Sequence, residues 1–291
     1  MTEDMMETDL RKVKQDEQKN LESILAEEKS MWRQKTWPQK MSRKLKDKIV
    51  RSHKFRNNNF VAREDGRERP KIVVYSCITG GYDKVAVPVH TFQNIDYVLF
   101  TDGNIKSDKW TIRAIPEEYK QETPALTNRY IKMHPHEVFA KDSYEYSIYI
   151  DGNIKVVGDL TPMAYAVSEL GLAMHRHSMR EDIKKEVYAC ISQKKGNRKK
   201  LIQQFKRYKR AGFPKKYGML ECNVIAAALG NQCAEKILKA WWEEFIKSGS
   251  MRDQIALPYV LWKMGYKIEN VGNLGYNVYR NPKLRKVDHL I

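Results

Sequence analysis

Between Tyr146 and Val157 the chain holds two apolar runs separated only by Asp151-Gly152-Asn153. The first run, Tyr-Ser-Ile-Tyr-Ile, alternates and then turns continuous, the pattern of a strand driven into a core. Where it ends, two short oxygen-bearing side chains emerge, Asp151 and Asn153. A divalent cation takes such a place, with one carboxylate, spare coordination positions and a diphosphate to complete the shell. Asp-Gly between apolar runs is also the signature of a tight hairpin turn. The two readings are compatible, and the rest of the chain has to separate them.

Around this stretch the pattern is one of strands alternating with helices. Ile72 to Ile78, Tyr97 to Phe100 and Trp110 to Ile115 read as strands, the first two ending in glycine-bearing polar turns. A helix follows from Thr127 to Phe139, interrupted at Pro135. Thr161 to Leu170 reads as another, with Pro162 suited to its first turn. Leu172 to His177 is a short strand and Arg180 to Arg210 is largely helical. Met219 to Ala228 is strand-like, Gln232 to Lys247 and Asp253 to Met264 are helices, and the tail is irregular. This alternation predicts an α/β domain over 70–291 with an open sheet, which binds ligands beyond the carboxyl ends of its strands. Residues 1–69 read as a charged helical extension and linker.

Charge is unevenly placed. Residues 31–63 carry a balance of +10 and residues 190–216 one of +11, while residues 1–30 carry −4. These segments account for the whole net charge of +17, so the body is neutral. Such basic segments attract phosphate-rich or anionic partners, whether nucleic acid, anionic lipid or anionic glycan. The stretch Ser42 to Lys54 is basic and amphipathic and suits an anionic membrane surface. Hydrophobic content of 42% describes a globular protein. The four cysteines lack metal or redox spacing and read as small core residues in a reducing compartment. With no signal peptide and no apolar run near the ~20 residues a membrane helix needs, a cytoplasmic location is expected, peripheral on the inner membrane face.

Several side chains can carry chemistry. Thr79-Gly80-Gly81-Tyr82 follows the first strand, and its glycines let backbone amides approach a phosphate closely. Asp102 sits at the equivalent exit of the second strand. Arg129 and Lys132 are three apart on one helical face and can clamp a diphosphate or a sugar carboxylate. His175 and His177 alternate along a strand and favour substrate hydrogen bonding over zinc. Asp253 opens an apolar helix, where a carboxylate is ordinarily a cap.

Lys71 to Asp83, Leu126 to His136, Tyr146 to Asn153, Glu221 to Ile225 and Arg252 to Lys263 together resemble one family. It is the glycosyltransferase-like family of the plant rhamnogalacturonan galacturonosyltransferases and their bacterial relatives. The similarity spans about 71–289; its most specific stretches are Tyr-Ser-Ile-Tyr-Ile-Asp and Arg-Asp-Gln-Ile-Ala-Leu-Pro-Tyr-Val-Leu-Trp. The resemblance implies a GT-A-like open mixed sheet flanked by helices, a UDP-linked sugar donor and a divalent metal, manganese or magnesium. It implies metal ligation by Asp151, Asn153 and His289, although Asn153 departs from a strict Asp-x-Asp. Donor contacts would come from Thr79, Gly80, Tyr82, Asp102, Arg129, Lys132, His175, Asn223, Arg252 and Gln254. Glu221 and Asp253 would act at the donor sugar, Asp253 as general base if the transfer inverts and as an orienting group if it retains. Similarity to the plant enzymes implies a retaining hexosyl or uronosyl transferase that extends a surface or capsular polysaccharide. The acceptor is then a glycan or a lipid-linked polysaccharide.

Two other classes compete. A non-catalytic basic protein binding nucleic acid or glycan follows from charge, but its basic segments lack interleaved aromatic residues. A lipid hydrolase requires a nucleophile elbow and a Ser-His-Asp set that the spacing does not offer.

Overall fold

The computed structural model describes residues 68–82, 85–177, 179–275 and 277–288. The amphipathic stretch Ser42 to Lys54, nearly all of the expected extension, and His289 lie outside the described residues.

The centre of the sheet is β1 (Ile72–Ile78), all seven of whose residues are buried. Val73, Tyr75 and Cys77 enter one apolar layer, and Ile72, Val74 and Ile78 enter the other. A strand covered on both faces therefore reads as a continuous apolar run. β2 (Ile95–Thr101) lies parallel on one side, Ile72 opposite Ile95, and β3 (Thr111–Ala114) extends that edge. β4 (Tyr146–Ile150) lies parallel on the other side. Next to it β7 (Leu220–Ala228) runs antiparallel, followed by β6 (Leu172–Arg176) and β8 (Gly272–Asn273). The order β3-β2-β1-β4-β7-β6-β8 makes a seven-stranded mixed sheet with helices on its faces, the expected GT-A-like class.

β5 (Ile154–Val156) does not fold back on β4. It pairs antiparallel with β9 (Leu284–Lys286) in a separate two-stranded sheet. Asp151-Gly152-Asn153 thus joins two sheets and is not a hairpin turn. β4 already has a partner on each side, so no edge remains for β5 to occupy. The tail, expected to be irregular, supplies β8 and β9.

Helices follow their caps. α1 (Pro124–Met133) starts three residues before the expected Thr127, because the Thr123 hydroxyl accepts Leu126 N–H at 3.2 Å and Pro124 suits the first turn. Pro135 ends it and opens the single turn α2 (Pro135–Val138). α3 (Thr161–Tyr165) stops short of the expected Leu170, since the Ser168 hydroxyl takes Leu170 N–H and bonds Leu172 O in a local turn. The span Arg180 to Arg210 splits into α4 (Ile183–Ser192) and α5 (Arg198–Arg210) at Gly196, whose φ is +77°. α6 (Gln232–Ser248) is capped by Asn231 and ends on left-handed Gly249. α7 (Asp253–Lys263) packs on α6 and β7. Among the described residues no helix is long and apolar enough to cross a membrane.

Candidate active site

The loops after β1 and β2 meet at the N-terminal end of α1, and the start of α7 packs against the second half of α1. After β1, Thr79 donates its hydroxyl to Pro124 O at 2.7 Å. Gly80 then adopts φ +64°, and its N–H reaches both carboxylate oxygens of Asp102, at 2.9 and 3.0 Å. The positive φ favours glycine, and a Cβ there would crowd Pro124 Cβ at 3.1 Å. Asp102 thereby fastens the first loop to the second strand, while Tyr82 stands 66% exposed at the rim.

Arg129 and Lys132 share a helical face as their spacing predicts, and both turn to Asp253 of α7. Lys132 Nζ lies 2.6 Å and Arg129 Nε 3.3 Å from Asp253 Oδ2. The other oxygen, Oδ1, accepts Gln254 N–H at 2.9 Å. The Lys132 ammonium also sits 5.2 Å from the Tyr149 ring centroid. Burial alone would raise the Asp253 carboxyl, but Lys132, Arg129 and Arg252 hold it far below the ordinary carboxylate range. Burial likewise opposes the Arg129 charge, yet Asp253, Tyr149 and Asp151 keep it firmly protonated. Asp253 is not the helix cap, because Arg252 holds that position. Nor is it an open reacting group, being 5% exposed with both oxygens engaged.

Asp151 contrasts with Asp253. Its N–H donates to Asn223 O at 3.0 Å and its carbonyl accepts Ile154 N–H at 2.8 Å, so the turn is held by backbone. Among the described residues its half-buried carboxylate accepts no hydrogen bond and joins no ion pair. Across the strand pair, Asn223 Oδ1 is buried without a hydrogen-bond partner. Uncommitted oxygens are what a hard divalent cation takes. Among the described residues no three His, Cys, Asp or Glu side chains gather as a metal set. Asn153 is 5% exposed, and its carbonyl accepts Val287 N–H at 2.9 Å, bringing the tail to this corner.

Glu221 lies on β7 two residues before Asn223. Burial pushes its carboxyl up to about 8, against the opposing pull of Lys286 and Arg180. An acid whose folded value exceeds its unfolded one, about 4.3, is protonated in the fold and loses stability as pH rises between the two. Glu221→Gln should therefore raise the melting temperature at pH 8 and change it little at pH 5. Equal shifts at both values, read by calorimetry, would contradict a neutral Glu221.

The remaining residues sort differently. His175 is fully buried, its Nε2 is 3.1 Å from Asn281 Nδ2, and burial depresses it to about 3. It is a neutral core side chain beneath the strand's bulge, with no surface for the donor contact expected of it. Gln254 Nε2 donates to Leu220 O at 2.9 Å and ties α7 to β7. Arg252 is half-buried, with one guanidinium nitrogen 4.0 Å from Glu186. Glu186, overlooked in the sequence, gathers Arg180, His177 and Arg252. Its signal was a carboxylate on a helix face shared with Ile183, Val187 and Cys190. Asn128, also overlooked, donates Nδ2 to Cys77 O and bonds Arg129 through its carbonyl oxygen.

Residues 11–289 match the model of a protein family described as TOD1/MUCI70, glycosyltransferase-like domain. The match begins well upstream of Lys71, where the resemblance read from the motifs began. The comparison with curated proteins finds no match.

Proposed function

Because the chain belongs to the TOD1/MUCI70 glycosyltransferase-like domain family, we propose that it transfers a sugar from a UDP-linked donor to a glycan or lipid-linked polysaccharide acceptor. The observation that carries this reading is the uncommitted Asp151 carboxylate at the exit of a buried central strand, beside a cationic cluster. Ligands of open α/β sheets bind at this edge, where the strand order departs on both sides from β1 and β4.

The uncommitted oxygens of Asp151 and Asn223 fit Mn²⁺ or Mg²⁺. Asp151 and Asn223 would hold the ion, together with Asn153 and His289 from the family resemblance, and the ion would offset charge on the leaving diphosphate. Gly81, with nothing within 4 Å of where a Cβ would lie, leaves room for the nucleotide to approach the backbone. Arg129, 28% exposed on its side chain and aimed by Asp253, supplies fixed positive charge where negative charge develops. Glu221, neutral near pH 7, donates a hydrogen bond to a donor-sugar hydroxyl. Asp253 does not serve as base, because a carboxyl so far below working pH is a poor proton acceptor. This supports a retaining outcome, which needs no enzyme base.

Thermal-shift measurements with UDP test the reading. Stabilisation by UDP should require manganese or magnesium and should be absent with the nucleoside uridine. Equal stabilisation with and without metal would remove the metal role, and none in either case would remove the donor.

A further inference from the structure

Helices α5 and α6 enclose a concavity of about 400 Å³, lined by Lys200, Gln204, Arg207, Arg210, Lys247 and Ser248. None of these belongs to the Asp151 corner. Lys200, Arg207 and Arg210 recur at helical spacing along one face of α5, over about 15 Å. The start of α5 is clamped near α7. Asn197 N–H donates to Ser250 O at 3.2 Å, and a Cβ at Gly196 would lie 2.5 Å from that same oxygen.

At the floor Arg207 is fixed in place. It pairs with both Glu244 oxygens, donates to Ser248 Oγ at 3.0 Å, and lies 5.1 Å over the Tyr208 ring. Glu244 is in turn held by Tyr208 and Ser248. The carboxylate beside the concavity is therefore matched by Arg207. Lys200, Arg210 and Lys247 join no ion pair among the described residues, leaving three cations facing one space. Like charges so placed repel and raise the energy of the empty fold unless an anion enters. A neutral sugar relieves nothing, and a single carboxylate leaves two cations unmatched. A tetrahedral dianion presents several acceptor oxygens to ammonium and guanidinium donors together and relieves most of the charge.

We propose that this concavity is a second anion site that takes a phosphate or sulfate ester, separate from the donor corner. The ester can be soluble or can be the headgroup of a lipid, and the chemistry recognised is the same.

The test uses the full chain and two triple variants. K200Q/R210Q/K247Q strips the concavity, and K141Q/K263Q/K267Q removes the same charge from exposed lysines elsewhere. Inorganic phosphate is titrated calorimetrically at low salt, and vesicles of phosphatidylcholine with phosphatidic acid are sedimented with each protein. The first variant should lose at least tenfold in phosphate affinity, and the second should stay within twofold of the parent. Vesicle binding that falls with the first variant assigns the ester to a lipid, and vesicle binding that does not assigns it to a soluble ligand. Equal phosphate affinity in all three proteins overturns the site, as does an equal loss in both variants. An oligonucleotide or a uronic-acid oligomer that needs these three cations while phosphate does not also overturns it. UDP with manganese should stabilise all three proteins alike, which confirms that the variants fold. If it stabilises none of them, the donor reading fails and the phosphate result stands.

Discussion

Asp151→Ala is expected to abolish metal-dependent UDP binding and to leave the fold intact. The turn it sits in is held by the backbone bonds to Asn223 and Ile154, and neither involves the carboxylate. Losing a side chain that accepts no hydrogen bond should change stability by only about 0.5 kcal/mol. A cation ligand, by contrast, contributes several kcal/mol where diphosphate charge develops, so affinity should fall more than about a hundredfold. Asp151→Asn keeps the shape and should lose nearly as much. Calorimetry with UDP and manganese reads the first effect and thermal unfolding the second. Wild-type affinity would remove the metal role. An unfolded variant would mean that the carboxylate serves the turn after all.

Asp253→Asn should have the opposite profile, with a large loss of stability and donor binding weakened as a consequence. Lys132, 3% exposed, and Arg129 would be left beside a neutral amide. Breaking a buried ion pair by removing one partner costs about 3–5 kcal/mol, since a charge is stranded away from water. For a domain of this size that is on the order of 10 °C in melting temperature. The double variant Lys132→Met with Asp253→Leu should recover part of the loss, because it leaves fewer stranded charges. The pH dependence is also fixed in sign. A carboxyl lowered by folding stabilises fully above its unfolded value, about 3.9, and less as pH falls toward the folded one. The deficit of Asp253→Asn should accordingly stay constant from pH 5 to 8 and shrink only in strong acid. A deficit under 1 kcal/mol, or one that grows with acidity, would show that the cluster contributes little.

Much of this was legible in the residues. Covered strands announce themselves as apolar runs, so β1, β2, β4 and β7 could be read directly, and Pro135 marked the break after α1, whereas the one at Gly196 was not read. The tail could not be read. β8 and β9 are two and three residues long and are strands only because distant partners lie beside them. For the same reason Asp-Gly suggested a hairpin, since which strand pairs with which is a tertiary choice. At the site, spacing put Arg129 and Lys132 on one helical face, and only the family resemblance joined Asp151 and Asp253 to them. Neither could say that three of the four satisfy one another while Asp151 stays uncommitted. His175 misled because a strand histidine looks the same whether its face meets solvent or core. Glu186 was passed over because a lone carboxylate in an amphipathic helix ordinarily belongs to the wet face.

The pairing of β5 with β9 places Ile154 opposite Lys286, across nearly half the chain. During synthesis the seven-stranded sheet has all its strands once Asn273 has emerged. The corner beside Asp151 still lacks β9, and closing so long a loop is the slow step in such topologies. A nascent chain can thus be folded through most of its mass while this corner is still incomplete. On the proposed reading, competence would come with β9, and partly made copies would not draw on the nucleotide-sugar pool.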